Sequence, residues 1–152
     1  MSAGRLQKLS SASYRRIYSA VPRLCADVVI RASGGVLLTR RSIPPWRGWW
    51  HLPGGRVHKF ETLSRAAERI CREELGVKVR VSKVLGAVEY LRDRTAPGFV
   101  THSVSVVLAA RLIGGMPRGS WQAREISFFR SLPRKVIPGV GRFLRSHSLI
   151  KR

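Results

Sequence analysis

GGRVHKFETLSRAAERICREELG, residues 54–76, holds four of the chain's eight acidic residues: Glu61, Glu68, Glu73 and Glu74. The remaining acids are scattered among 29 lysines and arginines, and the net charge is +21 over 152 residues. A cluster of carboxylates in so basic a chain needs a local reason. Two glycines open the stretch, predicting a glycine loop. Glycines there let the backbone approach a ligand and offer it carbonyls or amides. A helix follows from about residue 62 to residue 75, and Gly76 is its C-terminal stop.

On a wheel at about 100° per residue, Leu63, Ala66, Ala67, Ile70 and Cys71 form one apolar stripe, the core face. Glu61, Arg65 and Glu68 fall on the far side. Glu74 lies about 20° from Leu63, inside the apolar stripe, and Glu73 sits on its flank, about 60° from Ile70. A carboxylate on a core face is costly unless it is paired or binds a metal. A divalent cation removes both the burial cost and the repulsion between adjacent carboxylates. Mg²⁺ favours one or two carboxylates completed by water and phosphate oxygens. The competing explanation is pairing with Arg69, Arg72 or Lys78. Surface pairs are weak, so pairing accounts for Glu73 better than for Glu74.

Working outward, residues 10–20 predict a short helix with Tyr14, Ile17 and Tyr18 on one face, ended before Pro22. Residues 24–32 and 36–40 predict two strands joined by a hairpin-type turn at 33–35. Residues 42–48 read as a Pro/Gly loop and 49–52 as a short strand. Residues 77–91 predict a strand with a kink near Gly86, 93–98 a loop, and 99–112 a long alternating strand. A polar loop spans 113–125, a last strand 126–129 and a basic helix about 139–149. Strands with few helices indicate an α+β fold, a mixed sheet with helices on its faces.

One domain over residues 1–152 fits the length, and an apolar fraction of 44% argues against disorder. No apolar run approaches the roughly 20 residues of a membrane helix, so no membrane partner is expected. Cys25 and Cys71 have neither disulfide nor metal spacing, and both are expected as buried thiols in a reducing, cytoplasmic setting. The charge predicts weak nucleic-acid binding. The alternative is a compositional preference for arginine, with 23 Arg against 6 Lys spread along the whole chain. Residues 1–26 are rich in Arg and Ser and contain no acid, as in an organelle transit peptide, but the rest of the chain is also Arg-rich.

The opening stretch resembles a Nudix box, GxxxxxE, seven residues, REUxEExGU, where U is a bulky apolar residue. Gly55, Glu61, Arg69, Cys71, Glu73, Glu74, Gly76 and Val77 stand at the required spacing. One position departs: Ile70 replaces a Glu that in most members ligates metal. The wider segment 40–76 is similar, without gaps, to the GDP-mannose mannosyl hydrolase branch, and the likeness runs over roughly residues 10–130. It implies a Nudix-type α/β/α sandwich and cleavage of a nucleoside diphosphate sugar at the sugar carbon.

By position, the resemblance makes Glu74 the principal metal ligand, with the Gly55 carbonyl and Gln122, and Mg²⁺ or Mn²⁺ the cofactor. Glu73 adds an acid that the branch lacks. Arg41 and Arg56 would grip the diphosphate, Asp27 would meet the sugar, and Glu61 with Arg69 would hold the loop-helix shape. The branch's His after the Gln position is Ala123 here, and a Tyr expected after His102 is Ser103. Glu125 or Glu89 would then have to serve as base. Members of the branch pair, which implies a homodimer.

Among other residues, His51, His58, His102 and His147 lack metal spacing. His102 is expected as a satisfied core residue and His58 as an exposed loop residue. Trp50 is expected in the core. Trp46, in the proline loop, either stacks on a nucleobase or covers the core edge. Gly139-Val140-Gly141 lacks a preceding strand and is no nucleotide motif. Three readings follow: a nucleotide-sugar hydrolase, a pyrophosphohydrolase attacking phosphorus on ADP-ribose or a similar nucleotide, and a non-catalytic RNA-binding module. Ile70, Ala123 and the charge motivate the last.

Overall fold

The computed structural model describes residues 9–151. In chain order it contains α1 (Ser11–Tyr18), β1 (Arg23–Ala32), β2 (Gly35–Arg40), β3 (Trp50–His51), β4 (Gly54–Arg56), α2 (Leu63–Leu75), β5 (Lys78–Ala96), β6 (Phe99–Gly114), β7 (Glu125–Phe129) and α3 (Pro138–Ser146). β1 is central to a mixed sheet. It runs parallel to β6 on one side and antiparallel to β4 and then β2 on the other. β5 forms the far edge through its hairpin with β6, and β7 pairs with β2.

Alternation along β1 fills both faces of the sheet. Val28 and Ile30 join Ala66, Ile70, Cys71 and Leu75 of α2 in one core. Val29 faces the opposite side, with Val140, Phe143 and Leu144 of α3 in a second core. A strand covered on both faces reads as a continuous apolar run, as β1 does from Val28. The α+β sandwich expected from the sequence is therefore present. No helix among the described residues is long and apolar enough to cross a membrane.

α2 has the ends its sequence predicts. Thr62 caps it, its side chain accepting from the Arg65 amide, and Gly76 ends it at φ 68° with its N–H donating to the Arg72 carbonyl. Its stripe is buried as expected at Ala66, Ala67, Ile70 and Cys71. Glu61 is not on the helix. It precedes the cap, and its side chain folds inward to 10% exposure.

Two loops expected from the sequence are strands. Gly54 and Gly55 are not a turn but part of β4, opposite Asp27 and Ala26. A Cβ on Gly54 would stand 2.0 Å from Asp27 Oδ1, so glycine is needed for close packing rather than for chain reversal. Residues 93–96 continue β5, and the reversal is confined to Pro97 and Gly98. Irregular register at Tyr90/Asp93 and Arg94/Ala96 absorbs the polar residues that made this segment look like a loop. The expected kink near Gly86 is a similar register shift.

In α1, Tyr14 and Tyr18 pack edge to face 4.8 Å apart, and Tyr14 meets Phe99 of β6. Ile17, expected on the same face, stays 37% exposed. α3 spans a shorter segment than the 139–149 prediction and starts with Pro138 in its first turn.

Candidate functional site

The site is built where α2 crosses β4. Glu74, on the core-facing side of α2, lies near enough to the Gly54 backbone for the peptide to favour its charged form. Its second oxygen, Oε2, is buried and has no hydrogen-bond partner among the described residues. Burial pushes its carboxyl up to about 8, and the nearby Asp27 and Glu73 charges add to the rise while Arg41 opposes it. An unpartnered carboxylate oxygen held in the interior fits a cation better than it fits a structural role.

Glu74 lines a cavity of about 390 Å³. Gly55, Glu73 and Gln122 line the same cavity, so the four residues expected at the metal are gathered on one surface. Glu73 is 60% exposed and receives one bond from Arg69, 3.3 Å long. The set of oxygens, two carboxylates with a backbone and an amide carbonyl, suits Mg²⁺ or Mn²⁺. Ile70 forms the apolar wall: its Cγ1 would lie 3.4 Å from a Cβ on Gly55, and it is 2% exposed. The position where the box usually has a Glu is here part of the core.

A clamp fixes β4 against α2. Arg69 Nε donates to Glu61 Oε1 at 2.7 Å, and Nη2 to Glu61 Oε2 at 2.9 Å. The same Nη2 donates to the Arg56 carbonyl at 2.8 Å, and the His58 amide to Glu61 Oε2 at 2.9 Å. Arg69 therefore holds the Glu61 carboxyl below its ordinary range. Carboxylate and guanidinium share two parallel bonds, the strongest geometry of this pair.

Asp27 lies beneath Gly54. The Tyr90 hydroxyl donates to its Oδ2 at 3.1 Å. Burial pushes Asp27 up to about 6, with the Ser105 and Tyr90 hydroxyls and Arg41 pulling it down. Arg41 is close enough to Glu74 and Asp93 for their charges to favour its charged form, though burial lowers its pKa. Its guanidinium donates to the carbonyls of Pro44 and Pro45. Arg56 turns the other way, lying 5.0 Å over the Tyr14 ring and donating to the Tyr18 hydroxyl. Neither arginine lines the cavity.

Glu125 is not in the loop but opens β7. It is 59% exposed and held by Arg40 at 3.1 Å, outside the cavity lining. Glu89 is exposed on β5. Trp46 covers the core edge: its indole N–H donates to Asp93 at 2.9 Å and its ring meets Trp49 edge-on at 5.1 Å. Trp50 is half-buried against the α3 core. The aromatic that lines the cavity is Trp121, 71% exposed and adjacent to Gln122. Sequence reasoning passed over Trp121, and its position beside the Gln was the available signal. It also passed over Tyr90, whose alternation with Val88 on β5 marks it as facing inward.

Other expectations need correction. His102 is not satisfied, since its Nε2 is buried without a partner among the described residues. His58 is half-buried rather than exposed. Cys71 is buried, but Cys25 is only partly so. Burial pushes both thiols up, to about 12 and about 11, which disfavours the thiolate at neutral pH.

The NUDIX domain model matches residues 21–144. The chain is 46% identical over 80 residues to the low-salt glycan biosynthesis protein Agl8 of Haloferax volcanii, covering 53% of this chain and 51% of that protein. It is 34% identical over 108 residues to the ADP-ribose pyrophosphatase of Methanocaldococcus jannaschii, covering 71% of this chain and 62% of that one. The match thus spans under two thirds of either relative's length. Among solved structures, the MutT NUDIX hydrolase from Burkholderia pseudomallei superposes with a TM-score of 0.70 at 29% identity, over 82% of this chain and 97% of that one.

Proposed function

Because the chain belongs to the NUDIX domain family, we propose that it is a Mg²⁺-dependent hydrolase of a nucleoside diphosphate-linked substrate, acting on a nucleotide sugar such as GDP-mannose to release nucleoside diphosphate and free sugar. The observation that carries this reading is the buried Oε2 of Glu74, unpartnered among the described residues, in a cavity shared with Gly55, Glu73 and Gln122. These four residues would hold Mg²⁺ or Mn²⁺. The ion, when bound, neutralises charge on the diphosphate.

The chain's own residues supply the rest. Arg41, among the carbonyls of the proline loop and near Glu74, would stabilise the leaving diphosphate, a task suited to the guanidinium fork. Arg56 would join it only by leaving the tyrosines of α1. Asp27, fixed by Tyr90, would orient the sugar hydroxyls. Trp121 presents an open ring face in the cavity wall, a platform for the nucleobase. Glu125 would act as base only after release from Arg40. Similarity to a glycan biosynthesis protein supports a sugar-bearing substrate.

A second reading, attack at phosphorus on ADP-ribose or a similar nucleotide, is favoured by the paired Glu73 and Glu74 and by the similarity to an ADP-ribose pyrophosphatase. Incubation with GDP-mannose and Mg²⁺, with the products separated by chromatography, decides between them. GDP and mannose support cleavage at carbon. GMP and mannose phosphate support attack at phosphorus. Absence of turnover on both GDP-mannose and ADP-ribose would refute both, and RNA binding that survives Glu74→Gln would then favour a non-catalytic module.

A further inference from the structure

A second cavity, of about 350 Å³, lies at the C-terminal end of β1. Arg31, Arg130, Arg145 and Lys151 line it, together with Ser148. Arg31 is four residues beyond Asp27, about 13 Å along the strand at a strand's usual rise. The cations come from separate parts of the chain: the end of β1, the residue after β7, the last turn of α3, and the C-terminal segment. The fold brings them together. The Lys151 amide donates to the Arg130 carbonyl at 2.9 Å, and Ser131 and Lys151 form a parallel bridge. Arg130 Nη2 donates to the Ser33 carbonyl at 3.1 Å, which ties it to the β1–β2 turn.

No acidic residue lines this cavity, and none of its four cations is in a salt bridge among the described residues. Like charges drawn into one concavity repel each other unless an anion lies between them. Ser148, on the rim, holds φ at 53°, an uncommon backbone state for a residue with a side chain. A uniformly basic surface would explain scattered cations. It does not explain why four exposed cations from separate segments line one hollow.

We propose that this cavity is a second ligand site, independent of the metal site, that binds a small phosphate-bearing anion through Arg31, Arg130, Arg145 and Lys151. Guanidinium forks match phosphate oxygens, and the Ser148 hydroxyl adds a neutral donor. A convergent hollow suits a compact phosphate group rather than the extended backbone of a nucleic acid, which is tracked by a stripe or groove.

The probe is pyrophosphate, titrated calorimetrically into the full chain in the presence of a chelator, so that the carboxylates of the other cavity attract no anion. The wild type is expected to bind. Arg145→Gln is expected to weaken binding about tenfold, and Arg31→Ala with Arg145→Ala about a hundredfold, from loss of charge-assisted bonds. Arg80→Ala with Arg111→Ala, exposed residues facing each other on β5 and β6, removes the same net charge and is expected to change binding by less than about threefold. Glu74→Gln is expected to leave it unchanged. Equal losses in the two double variants would overturn the proposal in favour of a diffuse field, as would absence of binding by the wild type. Displacement of pyrophosphate by a single-stranded oligonucleotide at much lower concentration would overturn the assignment to a small molecule. Because no turnover is read, failure here is separate from failure of the hydrolase reading.

Discussion

Acidification tests the interior around His51 quantitatively. The imidazole Nε2 lies 3.0 Å from Thr39 Oγ1, and the ring sits near Arg41. Burial, aided by the Arg41 charge, pushes its pKa from 6.5 down to about 3. In the unfolded chain the ring takes up a proton below about 6.5, whereas in the folded chain it does not until far lower pH. Its contribution to stability is therefore complete above 6.5 and is lost as pH falls from there towards 3. Between pH 8 and pH 5 the loss is about 2 kcal/mol. Asp27 and Glu74 work the other way. Their raised values mean that the folded state holds protons more tightly, so they add stability as pH falls. The total curve is a mixture, and the informative quantity is a difference. Urea denaturation of the wild type and His51→Gln at pH 8 and pH 5 supplies it. The wild type should lose about 2 kcal/mol more than the variant over that interval. Identical pH dependence in the two proteins would refute the burial argument.

Three further outcomes follow from the site. Gly54→Ala places a methyl against Asp27 Oδ1 and 3.1 Å from the Ala26 carbonyl. It should cost about 2 kcal/mol in denaturation and lower turnover, and an unchanged midpoint would contradict the packing described. Glu61→Ala strips Arg69 of its two-bond partner in a setting where the side chains are 10% and 16% exposed. It should destabilise by about 2–3 kcal/mol, measured the same way, while Glu68→Ala on the exposed face should stay within about 0.5 kcal/mol. Trp121→Ala, at a 71% exposed position, should leave the melting temperature nearly unchanged. It should raise KM for the nucleotide substrate by about tenfold with kcat little altered, and a change confined to kcat would contradict a stacking role.

Much of the fold was legible because period and punctuation agreed. Thr62 and Gly76 bracket α2, and the wheel between them places Glu74 in the apolar stripe, where the structure half-buries the residue and encloses its Oε2. The strand signals of β1 and β6 were equally clear, and strands with few helices predicted a mixed sheet with helices on its faces. Where local composition and tertiary contact disagreed, sequence reasoning failed. Gly54 and Gly55 look like a turn because the partner that demands glycine, Asp27, is distant in sequence. Residues 93–96 look like a loop because an edge hairpin can carry charged and polar side chains.

The site residues divide in the same way. Glu73 and Glu74 follow from their places on the helix wheel, while Gly55 and Gln122 were implied only by the family resemblance, and the four line one cavity. Long side chains were harder to place. Arg56 has enough reach to leave the motif and pack on Tyr14 and Tyr18. Trp46 and Trp121 both lie in irregular segments, where no periodicity shows which ring faces a partner. Asp93 engages the first, and the second is left open to the cavity.

The central claim is that Glu74 holds one carboxylate oxygen in the interior in order to bind a divalent cation. Mn²⁺ titration followed by electron paramagnetic resonance tests it without any assumption about substrate. The wild type should bind Mn²⁺, with Mg²⁺ competing. Glu74→Gln, folded by circular dichroism, should weaken binding beyond the roughly 10–100-fold that follows loss of groups that merely orient metal ligands. Equal Mn²⁺ affinity in the wild type and Glu74→Gln, or no binding by the wild type, would contradict the account.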